Sequence, residues 1–342
     1  MMANPLKEAP RTRRTEGPRH MPREQQDDSD AFICEVCWHY FINEMTQAEV
    51  ARMMGVTRLR VNQAIQKARA RGMVRIELDS PFLPRVELQD RLRSHLGVAK
   101  VLVAPASRDS YDYHTPVGAA LASYLVEALR DGGWKRLGVS WGLTLESAMR
   151  RLPNLDHPDL EVVSMLGGTS RGASFNAFSI ASGLAGKLGA QYSLLTAPVY
   201  LSEGVDRDAF LGQDLFRAHF DKFEDLDAAI LTASDVSEKS FLVANGLPGE
   251  VSSDELIAAG AIGDVLGRFL DAEGQPIDHP IDGRAIGVST DVVARVPLKI
   301  MAAAGPHKTP IIRAAAQAGL IDTLVTDDVT AELLLADQGG DP

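Results

Sequence analysis

The stretch that decides the N-terminal fold is residues 46–74, which read TQAEVARMMGVTRLRVNQAIQKARARGMV. Thr46 is followed three residues later by Glu49, which is the capping-box pattern that starts an α-helix. Gly55 stands where a left-handed residue ends that helix, and Thr57 can cap a second one. Two helices joined by a short turn that contains glycine form the helix-turn-helix pattern.

The second of these helices runs to about Ala70 and has an apolar and a polar side. The residues on the apolar side are Val61, Ala64, Ile65 and Ala68. The opposite side carries Leu59, Asn62, Gln63 and Gln66, flanked by Arg58, Arg60 and Lys67. In the major groove of DNA, Arg suits guanine, Asn and Gln suit adenine, and Lys suits phosphate. The residues that we expect to contact DNA are Thr57, Arg58, Arg60, Asn62, Gln63 and Lys67. An ordinary helical hairpin with a solvated face is the alternative.

The flanks of this motif predict a winged-helix-like domain. Apolar residues at helical spacing indicate an earlier helix over 32–41. The first helix of the motif is expected to direct Val50, Met53 and Met54 inward, and residues 73–78 alternate as a short strand does.

Charge is divided unevenly along the chain. The whole sequence of 342 residues carries a net charge of −11, which argues against diffuse binding to DNA phosphates. Residues 45–75, however, hold seven basic side chains and one acidic, a net charge of +6. Residues 79–342 hold 22 basic and 36 acidic residues, a net charge of −14. This asymmetry predicts a small basic module joined to a large acidic one.

Composition predicts five segments along the chain. We expect a flexible leader over 1–30, a helix-turn-helix domain over 31–80, a linker helix over 81–98, an α/β domain over 99–336 and a flexible tail over 337–342. The longest stretches without charge have 15 residues, too few to span a membrane, and the N-terminus has no apolar run that would make a secretory signal. A cytoplasmic protein without membrane contact is expected.

From residue 100 onward, short β-rich runs alternate with helical ones. The expected strands are 101–104, 137–139, 162–166, 192–195, 228–231, 285–288, 300–303 and 323–325. The expected helices are 117–130, 145–150, 177–188, 254–259 and 311–318. Such alternation predicts a Rossmann-like α/β domain with a mostly parallel sheet, in which ligands bind at the carboxyl ends of the strands.

The loops at these strand ends contain groups that suit an anion or a polyhydroxyl ligand. Glycines allow a ligand to approach the backbone, hydroxyls donate hydrogen bonds, and a lysine supplies the cation that a phosphate needs. The candidate ligand-binding residues are Ser140, Gly142, Thr144, Gly167, Gly168, Asn176, Asp264 and Lys308. Ser and Thr are also ordinary helix caps, so a structural role is the alternative for the first loop.

Catalytic or metal chemistry is not indicated to the same degree. His39, His114 and His307 lack a nearby serine or cysteine that reads as an activated nucleophile. Cys34 and Cys37 have redox-type spacing, but no second pair completes a zinc site, so we expect core packing. No catalytic residue, metal or cofactor is predicted.

Several ordered motifs resemble the SorC-type sugar-sensing transcriptional regulators of bacteria over residues 31–336. They are MTQAEVA at 45–51, ARARGMV at 68–74, GVSWGLT at 138–144, LGG at 166–168, GDVLGRF at 263–269 and LVTD at 324–327. The effector domain of that family is similar to sugar-phosphate isomerases and deaminases but binds sugars without turnover. The chain departs from the family pattern at two places on the pocket rim, with TAS at 232–234 and GP at 305–306.

The resemblance implies a regulator of a carbohydrate or sugar-alcohol operon. Operator DNA and a sugar, sugar phosphate or polyol would be its partners, and Ser140, Gly142 and Thr144 would hold the phosphate or a terminal hydroxyl. Gly167 and Gly168 would let the ligand approach the backbone, and Lys308 would match the ligand-facing lysine. A homodimer or homotetramer is expected, because one helix-turn-helix domain contacts only one half of an operator site. The alternative is a sugar-phosphate isomerase or deaminase with an accessory DNA-binding module.

Overall fold

The computed structural model describes residues 29–74, 83–106, 111–171 and 175–336. The chain divides into two compact units, Met1–Asp79 and Ser80–Pro342, here called the reader unit and the ligand unit. The expected tail and residues 1–28 of the expected leader lie outside the described residues, as do residues 75–78 of the expected wing strand.

Residues 29–74 of the reader unit contain three α-helices, α1 (Asp30–Cys37), α2 (Gln47–Met54) and α3 (Arg58–Ala70). The predicted caps are confirmed. Thr46 and Glu49 form a reciprocal capping box, and Gly55 adopts a left-handed conformation with φ 65°. Thr57 caps α3 by accepting a hydrogen bond from the backbone N–H of Arg60. The predicted helix over 32–41 instead changes after Cys37 into a π-helix, Trp38–Ile42.

The core of the reader unit is built from one face of each helix. Its buried apolar residues are Ile33, Val36, Cys37, Val50, Ala51, Val61, Ala64, Ile65 and Ala68. Two expectations were wrong. Met53 is 49% exposed, because it lies on the outer side of α2, one residue before the half-buried Met54. Cys34 is exposed, whereas Cys37 is buried in this core, so only one of the two cysteines packs inside as expected.

The ligand unit is built on a seven-stranded parallel sheet with the order β1-β10-β9-β5-β2-β3-β4. Its strands are β1 (Lys100–Ala104), β2 (Arg136–Val139), β3 (Glu161–Ser164), β4 (Gln191–Ser193), β5 (Ala228–Leu231), β9 (Leu298–Ala302) and β10 (Thr323–Asp327). A small antiparallel sheet consists of β6 (Ala233–Ser234), β7 (Gly263–Val265) and β8 (Arg268–Leu270). The mostly parallel α/β fold is therefore confirmed.

Twelve α-helices of the ligand unit lie in the described part of the chain. They are α4 (Leu83–Leu96), α5 (His114–Gly132), α6 (Leu143–Arg151), α7 (Ala177–Leu188), α8 (Arg207–Leu211), α9 (Asp214–Phe220), α10 (Phe241–Asn245), α11 (Ser253–Ala258), α12 (Pro280–Arg284), α13 (Thr290–Ala294), α14 (Thr309–Gln317) and α15 (Asp328–Ala336).

Both faces of the seven-stranded sheet are covered. On β5, Ala228 and Ile230 join the apolar cluster that contains residues of α5, α6 and α7, whereas Ala229 and Leu231 join the cluster on the other face. This alternation along a fully buried strand explains its continuous apolar sequence. The layers are thus helix, sheet and helix, with the small sheet on the face opposite α5, α6 and α7.

One predicted strand was wrong. Residues 285–288 form no strand of either sheet and make only two isolated bridges, from Ala285 to Tyr200 and from Gly287 to Leu166. The apolar sequence of this segment reflects burial, since Ala285, Ile286 and Val288 are all buried. Burial of an irregular segment and burial of a strand produce the same short apolar pattern.

The strand order places a topological switch point between β2 and β5. From β2 the chain continues outward to β3 and β4, whereas from β5 it continues in the other direction to β9 and β10. The loops that leave β2 and β5 therefore diverge and leave a crevice at their carboxyl ends. Ligands of open α/β sheets bind at such a crevice.

Candidate functional site

The outward surface of α3 is the candidate DNA interface. Arg58, Leu59, Gln63 and Lys67 are exposed there, and Asn62 is partly exposed. The four residues predicted to share the inner face are buried, which fixes the orientation of the helix in the reader unit. A recognition helix needs this combination of a fixed inner face and an exposed polar outer face.

Several of the expected DNA contacts also have partners within the reader unit. The guanidinium carbon of Arg60 lies 4.5 Å from the centre of the Phe32 ring, so this side chain packs against α1 by a cation–π contact. The Nε atom of Arg58 lies 3.5 Å from Oε1 of Gln47 on α2. Thr57 is occupied as the helix cap. The outward face is consequently dominated by Leu59, Gln63 and residues further along α3.

In the ligand unit, a cavity of about 720 Å³ lies at the carboxyl ends of β2, β5 and β9. It is lined by Tyr113, His114, Trp141, Gly142, Leu143, Thr144, Phe175, Thr232, Ala233, Ser234, Asp235, Ser237, Glu238, Lys239, Ser240, Phe241, Leu242, His307 and Lys308. The predicted residues Gly142, Thr144 and Lys308 are among them. Its position is the switch point that the strand order defines, and its volume suits a small metabolite.

The start of α6 presents backbone donors to this cavity. Gly142 precedes the helix with φ 110°, a conformation that disfavours other residues, and no described side chain caps the first turn. The first N–H groups of a helix have no partner within the helix, so those at the start of α6 are available for a ligand. Together with the helix dipole they favour an anionic group.

Lys308 supplies a cation to the same cavity. Burial lowers the pKa of Lys308 to about 8, although the negative charges of Asp235 and Asp264 oppose that shift. Its Nζ atom lies 5.6 Å from the centre of the Tyr113 ring. Since the pKa remains above 7, the ammonium group is mostly charged at neutral pH.

Two histidines stand beside this lysine. Nδ1 of His114 lies 2.9 Å from Oγ1 of Thr144, and Nε2 of His307 lies 3.5 Å from the hydroxyl of Tyr113. Burial and the nearby charge of Lys308 lower the pKa of His114 to about 4. His114 is therefore neutral at pH 7, and Lys308 carries the positive charge of this side of the cavity.

An aromatic wall, formed by Trp141, Phe175 and Phe241, borders another side of the cavity. The ring of Phe241 meets that of Trp141 edge-on with centres 5.4 Å apart and that of Phe175 with centres 4.7 Å apart. The start of α10, which carries Phe241, is fixed in part by Ser240, whose hydroxyl oxygen lies 2.6 Å from that of Ser234.

Two of the expected effector contacts, Gly167 and Gly168, do not line the cavity. A side chain at Gly167 would meet the carbonyl oxygen of Pro198, and one at Gly168 would lie 2.6 Å from the Phe178 ring. Both backbone N–H groups are bonded, to Ile286 and Ala197. The space left by the missing side chains is thus filled by protein, and these glycines serve close packing where ligand approach was expected.

Three further predicted residues lie behind the cavity surface or beside it. Ser140 is fully buried, and its hydroxyl is 3.3 Å from that of Thr232, a lining residue. Asn176 caps α7 by accepting a hydrogen bond from Ser179. Asp264 is buried and accepts a hydrogen bond from the N–H of Gly267, and burial raises its pKa to about 7. Asp264 can act on Lys308 through its charge without touching a ligand.

Sequence reasoning missed much of the lining. Tyr113, Asp235, Phe175 and Phe241 come from segments with no motif of their own. The one available indication for Asp235 was its position just after the expected strand 228–231, where loops carry ligand-binding groups. Phe175 and Phe241 read as ordinary apolar residues, so no sequence signal distinguished them from the core.

Among the described residues, no group of three or more His, Cys, Asp or Glu side chains is placed to hold a metal ion. Within the same ranges, no helix is both long and apolar enough to cross a membrane.

Comparison with known proteins agrees with both units. Residues 80–336 match the Sugar-bind family, a sugar-binding domain, and residues 36–71 match Sigma-70, region 4. The erythritol catabolism regulatory protein EryD of Brucella abortus is 27% identical over 314 residues, which cover 92% of this chain and 99% of that protein. The transcriptional regulator YjhU of Escherichia coli is 26% identical, with 92% and 98% covered.

The solved structure of the full-length sorbitol operon regulator SorC from Klebsiella pneumoniae has the same fold, with a TM-score of 0.69 and 24% identity. The match covers 89% of this chain and 98% of that one. A helix-turn-helix unit followed by an α/β sugar-binding domain defines a DNA-binding transcriptional regulator. The chain belongs to the SorC-type family of sugar-binding transcriptional regulators. Because its relatives are named as regulators, the enzyme alternative has no support.

Proposed function

We propose that the cavity at the switch point binds a phosphorylated sugar or polyol, and that this ligand controls binding to operator DNA. The observation that carries the proposal is that Lys308 and the uncapped start of α6 face the same cavity. A cation beside free backbone N–H groups is the arrangement that holds a phosphate group. The names of the relatives, erythritol catabolism regulatory protein and sorbitol operon regulator, favour a polyol or sugar as its carbon skeleton.

The remaining lining supplies partners for such a skeleton. The carboxylate of Asp235 and the hydroxyls of Ser237 and Thr232 can accept or donate hydrogen bonds to ligand hydroxyls. The aromatic wall offers an apolar surface for the C–H groups of the carbon chain. Thr144 is proposed to contact the phosphate group together with Lys308 and the start of α6. In this proposal Ser140 and Asp264 support the lining residues, while Gly167, Gly168 and Asn176 have structural roles.

The reader unit is proposed to contact DNA through Arg58, Asn62, Gln63 and Lys67, with Thr57 and Arg60 orienting α3. One α3 reads a half-site, so we infer that the protein acts as a homodimer or homotetramer in the cytoplasm. The boundaries proposed for the functional parts are 31–80 for the reader, 81–98 for the linker helix and 99–336 for the effector domain. By linkage, a ligand that changes operator affinity has its own affinity changed by operator DNA by the same factor.

Two measurements test this function. Thermal unfolding is followed with erythritol, sorbitol, the phosphate ester of each and inorganic phosphate, because a ligand that binds the native state raises the melting temperature. Gel-shift titrations then use the DNA upstream of the gene for this chain, with and without each compound. We expect a phosphate ester to raise the melting temperature and to change DNA affinity. Stabilisation by the unphosphorylated polyols alone would contradict the phosphate assignment, and absence of sequence-specific DNA binding would contradict the regulator.

A further inference from the structure

A large apolar side chain, Leu59, lies on the centre line of the outward face of α3, near the N-terminus of the helix. Leu59 is 66% exposed, although it lies in the first turn of a helix whose inner residues are fully packed. At 100° per residue, the direction opposite to the buried residues of α3 points along Leu59, Gln63, Gln66 and Ala70. The charged residues of α3 lie to either side of this line.

This arrangement separates base contacts from phosphate contacts. A recognition helix inserts its N-terminal residues toward the base edges, and the residues on its flanks meet the sugar-phosphate backbone. Leu59 is the second residue of α3, and Gln63 follows one turn later on the same side. On DNA, Leu59 and Gln63 would therefore face the base edges in the major groove, whereas Arg58 and Lys67 would face the sugar-phosphate backbone on either side.

We propose that Leu59 recognises a thymine in each operator half-site by contact with the C5-methyl group of that base. This proposal rests on the DNA interface proposed above. Leucine has no donor or acceptor, so it can discriminate only by apolar contact. The C5-methyl of thymine is the apolar group that a base pair presents in the major groove. In the free protein the apolar surface of Leu59 is exposed to water, which is unfavourable. Contact with the thymine methyl group removes this surface from water and so favours binding. Gln63, one turn further on, remains free to hydrogen-bond an adjacent base edge.

Uracil provides the test, because it differs from thymine only by the absence of this methyl group and keeps the same pairing. The DNA upstream of the gene for this chain is first narrowed by footprinting to its protected site. Duplexes are then prepared in which each thymine of the site is replaced singly by uracil. For the wild-type protein we expect one thymine in each half-site at which uracil weakens binding about fourfold, the effect of ~0.8 kcal/mol for one buried methyl group.

The Leu59→Ala variant should bind the thymine and uracil duplexes equally at that position. It should also keep the wild-type melting temperature, because the side chain is exposed. Met53→Ala is the matched control, since Met53 is an exposed apolar residue of α2 in the same unit. This variant should retain the fourfold discrimination.

The outcomes separate the two proposals. If the wild-type protein binds no site in that DNA, the proposed DNA interface fails together with this one. If it binds a site but uracil has no effect at any position, the assignment of Leu59 is overturned while the interface stands. Discrimination that persists in Leu59→Ala overturns it as well, since another residue then reads the methyl group.

Discussion

The Nδ1 atom of His114 lies 2.9 Å from the Oγ1 atom of Thr144, which connects the first turn of α5 with the first turn of α6. Thr144 is almost fully buried, yet it is one of the residues that line the cavity. Because the low pKa of His114 keeps the imidazole neutral, the two groups share one hydrogen bond between neutral partners. The pair fixes a hydroxyl beside the backbone N–H groups that are proposed to hold the phosphate.

Replacing this hydroxyl tests its position. Thr144→Val keeps the volume but leaves the half-buried imidazole nitrogen of His114 without its partner, so the free energy of unfolding should fall by about 1–3 kcal/mol. The phosphate ester that stabilises the wild type should lose at least tenfold in affinity. Denaturant unfolding and ligand titration measure both effects. Ser123→Ala, on the exposed side of α5, is the control and should change neither. Unchanged ligand affinity in Thr144→Val would remove Thr144 from the site.

Loss of the cation should separate ligand response from DNA binding. Lys308→Met removes the charge that faces the cavity, so DNA affinity in a gel shift should no longer respond to the phosphate ester, while affinity without ligand stays within about twofold. Lys135→Met is the control, because Lys135 is exposed at the amino end of β2, on the opposite edge of the sheet. Loss of DNA binding itself in Lys308→Met would show that the lysine is structural.

Ligand affinity should depend on pH in the alkaline range. With a pKa of about 8 for Lys308, the ammonium form that attracts a phosphate is present below pH 8 and is lost as the pH rises above it. Calorimetric titration between pH 7 and 9.5 should show a progressive rise in the dissociation constant. In Lys308→Arg the guanidinium stays charged over this range, so whatever affinity that variant retains should vary much less. A wild-type affinity that is flat across this range would contradict a charged contact from Lys308.

Flanking charges of α3 should govern the salt dependence of DNA binding. Arg58→Ala and Lys67→Ala each remove a cation proposed to meet a phosphate, so the slope of log affinity against log salt concentration should become shallower by about 1. Arg130→Ala, an exposed basic residue of α5, is the matched control and should leave the slope unchanged. An unchanged slope for both α3 variants would indicate that this helix docks on protein.

Much of the reader unit followed from the sequence because its determinants are local. The capping box of Thr46 and Glu49, the left-handed Gly55 and the cap at Thr57 each depend on residues within one helical turn of one another. The inner face of α3 followed from helical periodicity in the same way. Periodicity was less informative for Met53, where the true boundary of the inner face falls between two neighbouring methionines.

The sequence also determined that the ligand unit is a parallel α/β domain, since alternating short apolar runs and helical segments allow few other folds. It could not separate the buried irregular segment 285–288 from a strand, because both are short and apolar. It could not assign Gly167 and Gly168 either, because a glycine required for packing against Pro198 and one required for a ligand read alike.

Only the tertiary structure decided which groups meet in the cavity. The strand order brings together loops that follow β2, β5 and β9, so Gly142, Asp235 and Lys308 line one volume although they are far apart in sequence. The same strand order leaves Gly167 and Asn176 outside the cavity lining. Sequence patterns record short-range preferences of the chain, whereas the composition of this site depends on long-range strand pairing, which no single segment encodes.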